Sequence, residues 1–127
     1  MQAKKFDIAL TSFGYKYGIP RHADMVLDVR FLANPYYVER LRDKTGRSSA
    51  VQKYVLKQKA CLRFIRQIST LLELMLKEYA KKGKHRLTVA FGCTGGKHRS
   101  VVIVEALKKR LQHPKINITV THRDEKL

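Results

Sequence analysis

The fold is decided by residues 87–111, whose sequence is LTVAFGCTGGKHRSVVIVEALKKRL. Leu87–Phe91 is a short, mostly apolar run, which is typical of a strand buried in a parallel sheet. Val101–Leu111 has the apolar spacing of a helix, and the glycine-rich segment Gly92–Ser100 joins the two. A strand that runs through a tight loop into a helix forms half of a βαβ unit. The stretch therefore predicts an α/β fold with a mainly parallel sheet.

Three further strands are predicted outside this stretch. Phe6–Ser12 and Ile116–Val120 alternate apolar and polar residues, whereas Met25–Phe31 is mostly apolar. The apolar character of Met25–Phe31 predicts a central position in the sheet. We expect residues 1–127 to form a single domain with a three-layer-like arrangement, in which helices flank the central sheet.

The longest predicted element is helical. Its apolar residues recur at steps of three and four from Val51 to Tyr79, which places them on one stripe. Just before this run, Ser49 and Gln52 form an S-x-x-Q pattern that predicts a capping box. The spacing fits one long helix or two helices with a break near Cys61.

The charge balance gives the first indication of function. The chain has 27 basic and 10 acidic residues, a net charge of +17, and 44% hydrophobic residues. The hydrophobic share excludes a disordered polycation. Residues 1–76 hold 14 basic and 6 acidic side chains, and residues 77–127 hold 13 and 4, so the basicity is spread through the fold. This favours a phosphate-rich partner such as RNA; the alternative is a basic surface that is merely solvated.

Several classes of protein are not expected. No apolar run approaches the ~20 residues that a membrane-spanning helix needs, and no signal-peptide pattern opens the chain, which predicts a cytoplasmic protein without a membrane partner. The two cysteines, Cys61 and Cys93, stand in different contexts and do not form a disulfide framework. The five histidines are scattered, so we expect no metal site, and we expect no cofactor.

The loop Gly92–Ser100 is predicted to bind phosphate. Its glycines let several backbone N–H groups converge, and the helix that follows directs the positive end of its dipole to the same point. The side chains of Lys97, His98 and Arg99 add positive charge, and Thr94 and Ser100 add hydroxyl groups. The alternative is a plain glycine-rich turn with surface charges. The Walker A pattern G-x-x-x-x-G-K-[ST] is absent, so ATP hydrolysis on that plan is not expected.

A catalytic hypothesis also fits this loop. Cys93-x-x-Gly96-x-x-Arg99-Ser100 matches the C-x-x-G-x-x-R-[ST] signature of cysteine-dependent phosphatases. In that chemistry Cys93 would be the nucleophile and Arg99 would bind the phosphoryl oxygens. Asp28 and Asp24 would be the candidates for the general acid. Alternatively, Cys93 is a small buried residue that lets the loop close.

Blocks along the chain resemble one known family. They are Ser12–Pro20 (SFGYKYGIP), Asp28–Leu32 (DVRFL) with Asn34-Pro35-Tyr36, Gly92–Val101 (GCTGGKHRSV) and His122-Arg123. In this order they resemble the RapZ C-terminal domain family of bacterial RNase adapter proteins. Full-length members of that family carry an N-terminal P-loop domain ahead of this one, and the 127 residues contain no counterpart of it.

The resemblance implies a binding domain without catalysis. It implies an adapter that binds RNA, presents it to an endoribonuclease, senses an amino-sugar phosphate and assembles as a homo-oligomer. It also implies that Lys16, Arg30, Asn34 and Tyr36 line the same pocket as the loop. His122 and Arg123 either face that crevice or are solvated. The predicted ligand-binding residues are Lys16, Arg30, Asn34, Tyr36, Cys93, Thr94, Gly95, Gly96, Lys97, His98, Arg99, Ser100, His122 and Arg123.

Overall fold

A computed structural model describes residues 5–127. Four strands and three α-helices follow one another along this part of the chain: β1 (Phe6–Gly14), β2 (Met25–Asp28), α1 (Ser49–Leu56), α2 (Lys59–Lys81), β3 (Arg86–Cys93), α3 (Arg99–Arg110) and β4 (Ile116–His122). Short 3-10 turns occupy Tyr15–Tyr17 and Pro35–Tyr37. The α/β class predicted from the sequence is confirmed. None of the described helices combines the length and apolarity needed to cross a membrane.

The sheet is parallel throughout, with the strand order β2-β3-β1-β4. The predicted central position of β2 is wrong, because within residues 5–127 β2 pairs only with β3 and lies at the edge of the sheet. Its apolar residues Met25 and Leu27 pack against the core, whereas Val26 and Asp28 are exposed. Apolar content therefore reports which face of β2 is covered, and it says little about how many neighbours the strand has.

All three helices pack on one face of the sheet. That face carries Ile8, Leu10, Val89 and Phe91, and these residues belong to one core with the buried side chains of the helices. On the other face the alternate positions of β4 are exposed. The connections β2→β3 and β3→β4 move in the same direction across the sheet, so right-handed crossovers place both on the same side. The arrangement thus has two layers, where helices flanking the sheet were expected.

The long helical region begins and divides differently from the prediction. Ser48 is the N-cap of α1 and makes no side-chain capping bond, so the predicted capping box of Ser49 and Gln52 is wrong. The Gln52 side chain instead donates to the Gly46 carbonyl at 3.0 Å. The region is two helices, and α2 starts after Gln58, which has extended backbone angles. The division lies a few residues before the predicted break near Cys61.

Candidate functional site

The loop between β3 and α3 is held by the end of β1. Gly14 lies so close to the loop that a Cβ on it would come within 2.5 Å of the Gly95 carbonyl carbon. Gly96 has φ +77°, in the left-handed region that favours glycine, and a Cβ there would lie 2.6 Å from the Gly14 nitrogen. The backbone N–H of Lys16 donates to the Thr94 carbonyl at 3.1 Å. Glycine at positions 14 and 96 therefore permits the close contact between β1 and the loop.

A second segment supports the loop from the other side. The Gly46 N–H donates to the Lys97 carbonyl at 2.8 Å. The buried His98 side chain bonds through Nε2 to the Arg42 carbonyl at 3.1 Å. Burial lowers the pKa of His98 below its usual range. His98 thus holds the supporting segment, and its Nε2 is already used in doing so.

The backbone of the loop presents a row of free donors. From Thr94 to Arg99, none of the consecutive backbone N–H groups donates to an acceptor in residues 5–127. The row ends at the first N–H group of α3, and the positive end of the helix dipole lies at the same place. Unpartnered N–H groups at the start of a helix form a common anion-binding arrangement, so this row favours an anionic ligand.

Arg99 is buried beside this row, with only 5% of its surface exposed. Its Nη1 donates to the carbonyls of Arg30 and Leu32, both at 3.0 Å. Its Nη2 makes a longer bond of 3.3 Å to Thr94 Oγ1, and its buried Nε has no acceptor among the described residues. The guanidinium therefore braces the chain after β2 and still has donor capacity for an anion.

Cys93 and Ser100 form a buried pair at the two ends of the loop. The Cys93 Sγ lies 3.1 Å from the Ser100 Oγ and accepts from the Ser100 N–H at 3.5 Å. Cys93 is 2% exposed, and Ser100 is fully buried. The pair joins the last residue of β3 to the first turn of α3, and this closes the loop.

These elements enclose a cleft of about 380 Å³ at the carboxyl edge of the sheet. This volume lies within the roughly 300–1,000 Å³ that is usual for ligand pockets. The cleft is lined by Lys16, Tyr17, Asn34, Tyr36, Tyr37, Cys93, Thr94, Gly95, Lys97, His98, Arg99 and Leu127. Lys16, Asn34 and Tyr36 thus lie beside the loop residues. No aspartate or glutamate of the described chain is among the lining residues.

Other predicted residues do not line the cleft. Gly96 packs closely against Gly14, and Ser100 is buried next to the Cys93 side chain. Arg30 Nη2 lies 2.7 Å from Asp28 Oδ2 in an ion pair, and the Arg30 guanidinium stacks over the Tyr15 ring, 3.9 Å from the ring centroid. The hydrogen bonds from Arg30 hold the pKa of Asp28 below its usual range. Arg30 therefore has the carboxylate as its partner.

The predicted pair at the end of β4 also lies elsewhere. His122 is buried between Ser12, at 2.7 Å from its Nδ1, and Glu105, at 2.9 Å from its Nε2. Arg123 binds Asp124 at 2.8 Å and donates to the Gly18 carbonyl at 2.6 Å. Neither residue faces the cleft, because each is committed to bonds that join β4 to its neighbours.

Sequence reasoning missed three residues that line the cleft. Tyr17, Tyr37 and Leu127 were not predicted, although Tyr17 and Tyr37 each adjoin a predicted residue, Lys16 and Tyr36. That adjacency in two short turns was the available signal. No comparable signal marked Leu127, whose position depends on how the chain after β4 folds back.

Comparisons with known proteins agree with this architecture. The family model described as the RapZ C-terminal domain matches residues 6–126. A protein of Mycolicibacterium vanbaalenii named "Nucleotide-binding protein" is 50% identical over 118 residues, which are 93% of this chain and 37% of that protein. Proteins with names of the same kind from Parafrankia sp. and Caldanaerobacter subterraneus are 49% and 44% identical, over 97% and 98% of this chain and 43% and 45% of theirs. The chain thus spans less than half the length of these relatives.

Proposed function

This chain belongs to the RapZ C-terminal domain family, and from that premise we propose that it is an RNA-binding adapter or sensor domain. Its loop Cys93–Ser100 would hold a phosphate group of the ligand without turning it over. The similar proteins are named nucleotide-binding proteins, which supports a ligand of the nucleotide or RNA class. By the same family premise we propose a cytoplasmic protein that presents RNA to an endoribonuclease and assembles as a homo-oligomer.

The row of free N–H groups from Thr94 to Arg99 carries the proposal. Phosphate oxygens accept several hydrogen bonds at once, and they suit the positive end of α3. The unpartnered Nε of buried Arg99 adds a charged donor at the same cleft. Lys16 and Lys97 bring further positive charge, and no aspartate or glutamate side chain of residues 5–127 lines the cleft.

The overall charge supports RNA as the larger partner. A net charge of +17 over 127 residues gives long-range attraction to a polyanion. RNA binding through this charge alone would weaken steeply as the salt concentration rises, and substitutions in the cleft would not change it. An adapter that also uses the cleft would lose only part of its affinity with salt.

Calorimetric titration tests the proposal. Wild type, Arg99→Ala and the control Arg110→Ala are titrated with inorganic phosphate, glucosamine-6-phosphate and a structured RNA. Arg110 ends α3 at the opposite end from the cleft, so its variant removes the same charge elsewhere. We expect one phosphate-compound site in wild type and Arg110→Ala, and none in Arg99→Ala. If Arg99→Ala binds every ligand as wild type does, the loop is not the working site.

A cysteine-dependent phosphatase is the second candidate function. The bonds from Ser100 to the Cys93 Sγ favour it, because they would stabilise a thiolate. The thiolate would attack phosphorus and the ester P–O bond would break; water would then release phosphate from the cysteine. Against it, Asp28 is ion-paired with Arg30 and held ionised, which does not suit a general acid.

Hydrolysis of an aryl phosphate separates these two functions. If the chain is a phosphatase, wild type releases the phenol and Cys93→Ser abolishes the release. If it only binds phosphate, neither protein turns over the ester, and Cys93→Ser keeps the affinity of wild type for inorganic phosphate.

A further inference from the structure

We propose that the cleft takes a nucleotide by its terminal phosphomonoester, with the nucleobase stacked on the tyrosines of the rim. This inference rests on the proposed phosphate site and names its ligand class. The ligand chemistry could come from two sources, a free mononucleotide or the phosphorylated end of an RNA chain. Internal phosphates of RNA would not enter the cleft.

The depth of the site favours a monoester over a diester. The donors at its base are Arg99 and the loop backbone, and Arg99 is 5% exposed. A terminal phosphate offers three unesterified oxygens and a charge between −1 and −2 near neutral pH. An internal phosphate offers two such oxygens and one negative charge. It also carries chain on both sides, and both sides would have to pass through the mouth of the cleft. The number of free donors therefore matches the terminal group.

The rim is formed by exposed aromatic rings. Tyr17, Tyr36 and Tyr37 are 41%, 51% and 80% exposed, and all three line the cleft. The rings of Tyr36 and Tyr37 are 5.7 Å apart and nearly perpendicular. The Arg42 guanidinium lies over the Tyr36 ring at 5.0 Å, and its Nε donates to the Tyr36 carbonyl. Tyr36 is thus held in position while about half of it remains open to solvent, as a stacking surface for a base requires.

The charge of the cleft is positive, because the side chains of Lys16, Lys97 and Arg99 line it. These cations favour the terminal phosphate group. A nucleobase carries no charge near neutral pH, and its flat face suits the rim tyrosines.

Binding measurements on matched ligands test this inference. One short single-stranded RNA is prepared with a 5′-phosphate, with a 3′-phosphate, with hydroxyls at both ends, and with its 5′-phosphate blocked as a methyl ester. Adenosine monophosphate, ribose-5-phosphate and glucosamine-6-phosphate are the small ligands. We expect a free terminal phosphate to bind on the order of tenfold more tightly than the hydroxyl or blocked ends. We also expect adenosine monophosphate to exceed ribose-5-phosphate by about tenfold, the contribution of one stacked base.

Variants of Tyr36 separate stacking from phosphate binding. Tyr36→Ala should remove the preference for adenosine monophosphate over ribose-5-phosphate, and Tyr36→Phe, which keeps the ring, should retain it. Equal binding of all three small ligands would overturn the nucleotide assignment and leave the phosphate site intact. RNA that binds equally well with hydroxyl ends would overturn end recognition. If no phosphate compound binds, the proposed function fails as well.

Discussion

Replacing Arg99 with lysine tests the two roles of this residue together. The variant keeps the positive charge and loses the planar fork. In the structure Arg99 Nη1 donates to the carbonyls of Arg30 and Leu32 at 3.0 Å, and its Nε has no acceptor in the part of the chain that the structure describes. A lysine ammonium cannot reproduce both carbonyl bonds and also offer a fork to an anion.

The magnitude follows from those two bonds. A hydrogen bond from a charged donor contributes about 1.5–3 kcal/mol, and lysine should recover part of one, so we expect a loss of about 2–4 kcal/mol in the free energy of unfolding. For a domain of this size that is a fall in Tm of roughly 10 °C. Wild type should gain about 2.7 kcal/mol from phosphate at a hundred times its Kd. Arg99→Lys should gain little stability from the same concentration of phosphate, because it should bind phosphate only weakly.

Thermal unfolding with and without inorganic phosphate measures both effects, and Arg110→Lys is the matched control. If Arg99→Lys is destabilised but keeps the full phosphate-dependent rise in Tm, Arg99 is a brace only and the anion site does not depend on it. If the variant unfolds at the wild-type temperature, the two carbonyl bonds contribute nothing and the structural argument for Arg99 is refuted.

Four further predictions concern the loop, its support and the core. Gly96→Ala should lose more than about 2 kcal/mol in chemical denaturation, because its φ is +77° and its Cβ would meet Gly14. Gly95→Ala should unfold like wild type, because its Cβ would have no neighbour within 4 Å. It should bind phosphate less tightly, because Gly95 lines the cleft; an unchanged affinity for phosphate would contradict the proposal that the loop is the phosphate site. Burial lowers the pKa of His98 in the folded state, so its contribution to stability is present above the usual value of 6.5 and is lost as pH falls. Between about pH 7.5 and about pH 5, the free energy of unfolding measured with urea should therefore fall less for His98→Gln than for wild type. One proton changes this free energy by up to about 1.4 kcal/mol per pH unit. Burial raises the pKa of Cys61 to about 11, so iodoacetamide should modify it at mildly alkaline pH only after unfolding; rapid labelling of the native protein, detected by mass spectrometry, would contradict its burial.

Features that depend on neighbouring residues in the chain could be predicted. The strand, glycine-rich loop and helix over residues 87–111 agree with β3, the loop and α3, since their patterns are local. The alternation in Phe6–Ser12 and the helical spacing before Tyr79 also lie on the observed elements. Lys16, Asn34 and Tyr36 line the cleft, and their role in binding stays a prediction.

Features that depend on competition between possible hydrogen-bond or strand partners could not be predicted. The S-x-x-Q pattern did not form a capping box, because the Gln52 side chain found the Gly46 carbonyl instead. The apolar run of β2 did not place it centrally, since pairing depends on the path of the whole chain. His122 and Arg123 are polar residues at a strand end, and only the packed structure brings them to the carboxylates of Glu105 and Asp124 that hold them outside the cleft.

The sequence by itself determined a glycine-rich, basic loop between a strand and a helix, because glycines, a helix start and basic side chains are adjacent in the chain. It also determined the positive charge that favours a polyanion. Only the tertiary structure decided how the loop is held and which donors stay free. Gly14, on β1, packs against Gly95 and Gly96. Arg99 Nη1 donates to the carbonyls of Arg30 and Leu32, which are 69 and 67 residues away in the chain. Contacts between residues so far apart in the chain exist only once the sheet has formed, so no local pattern could specify them.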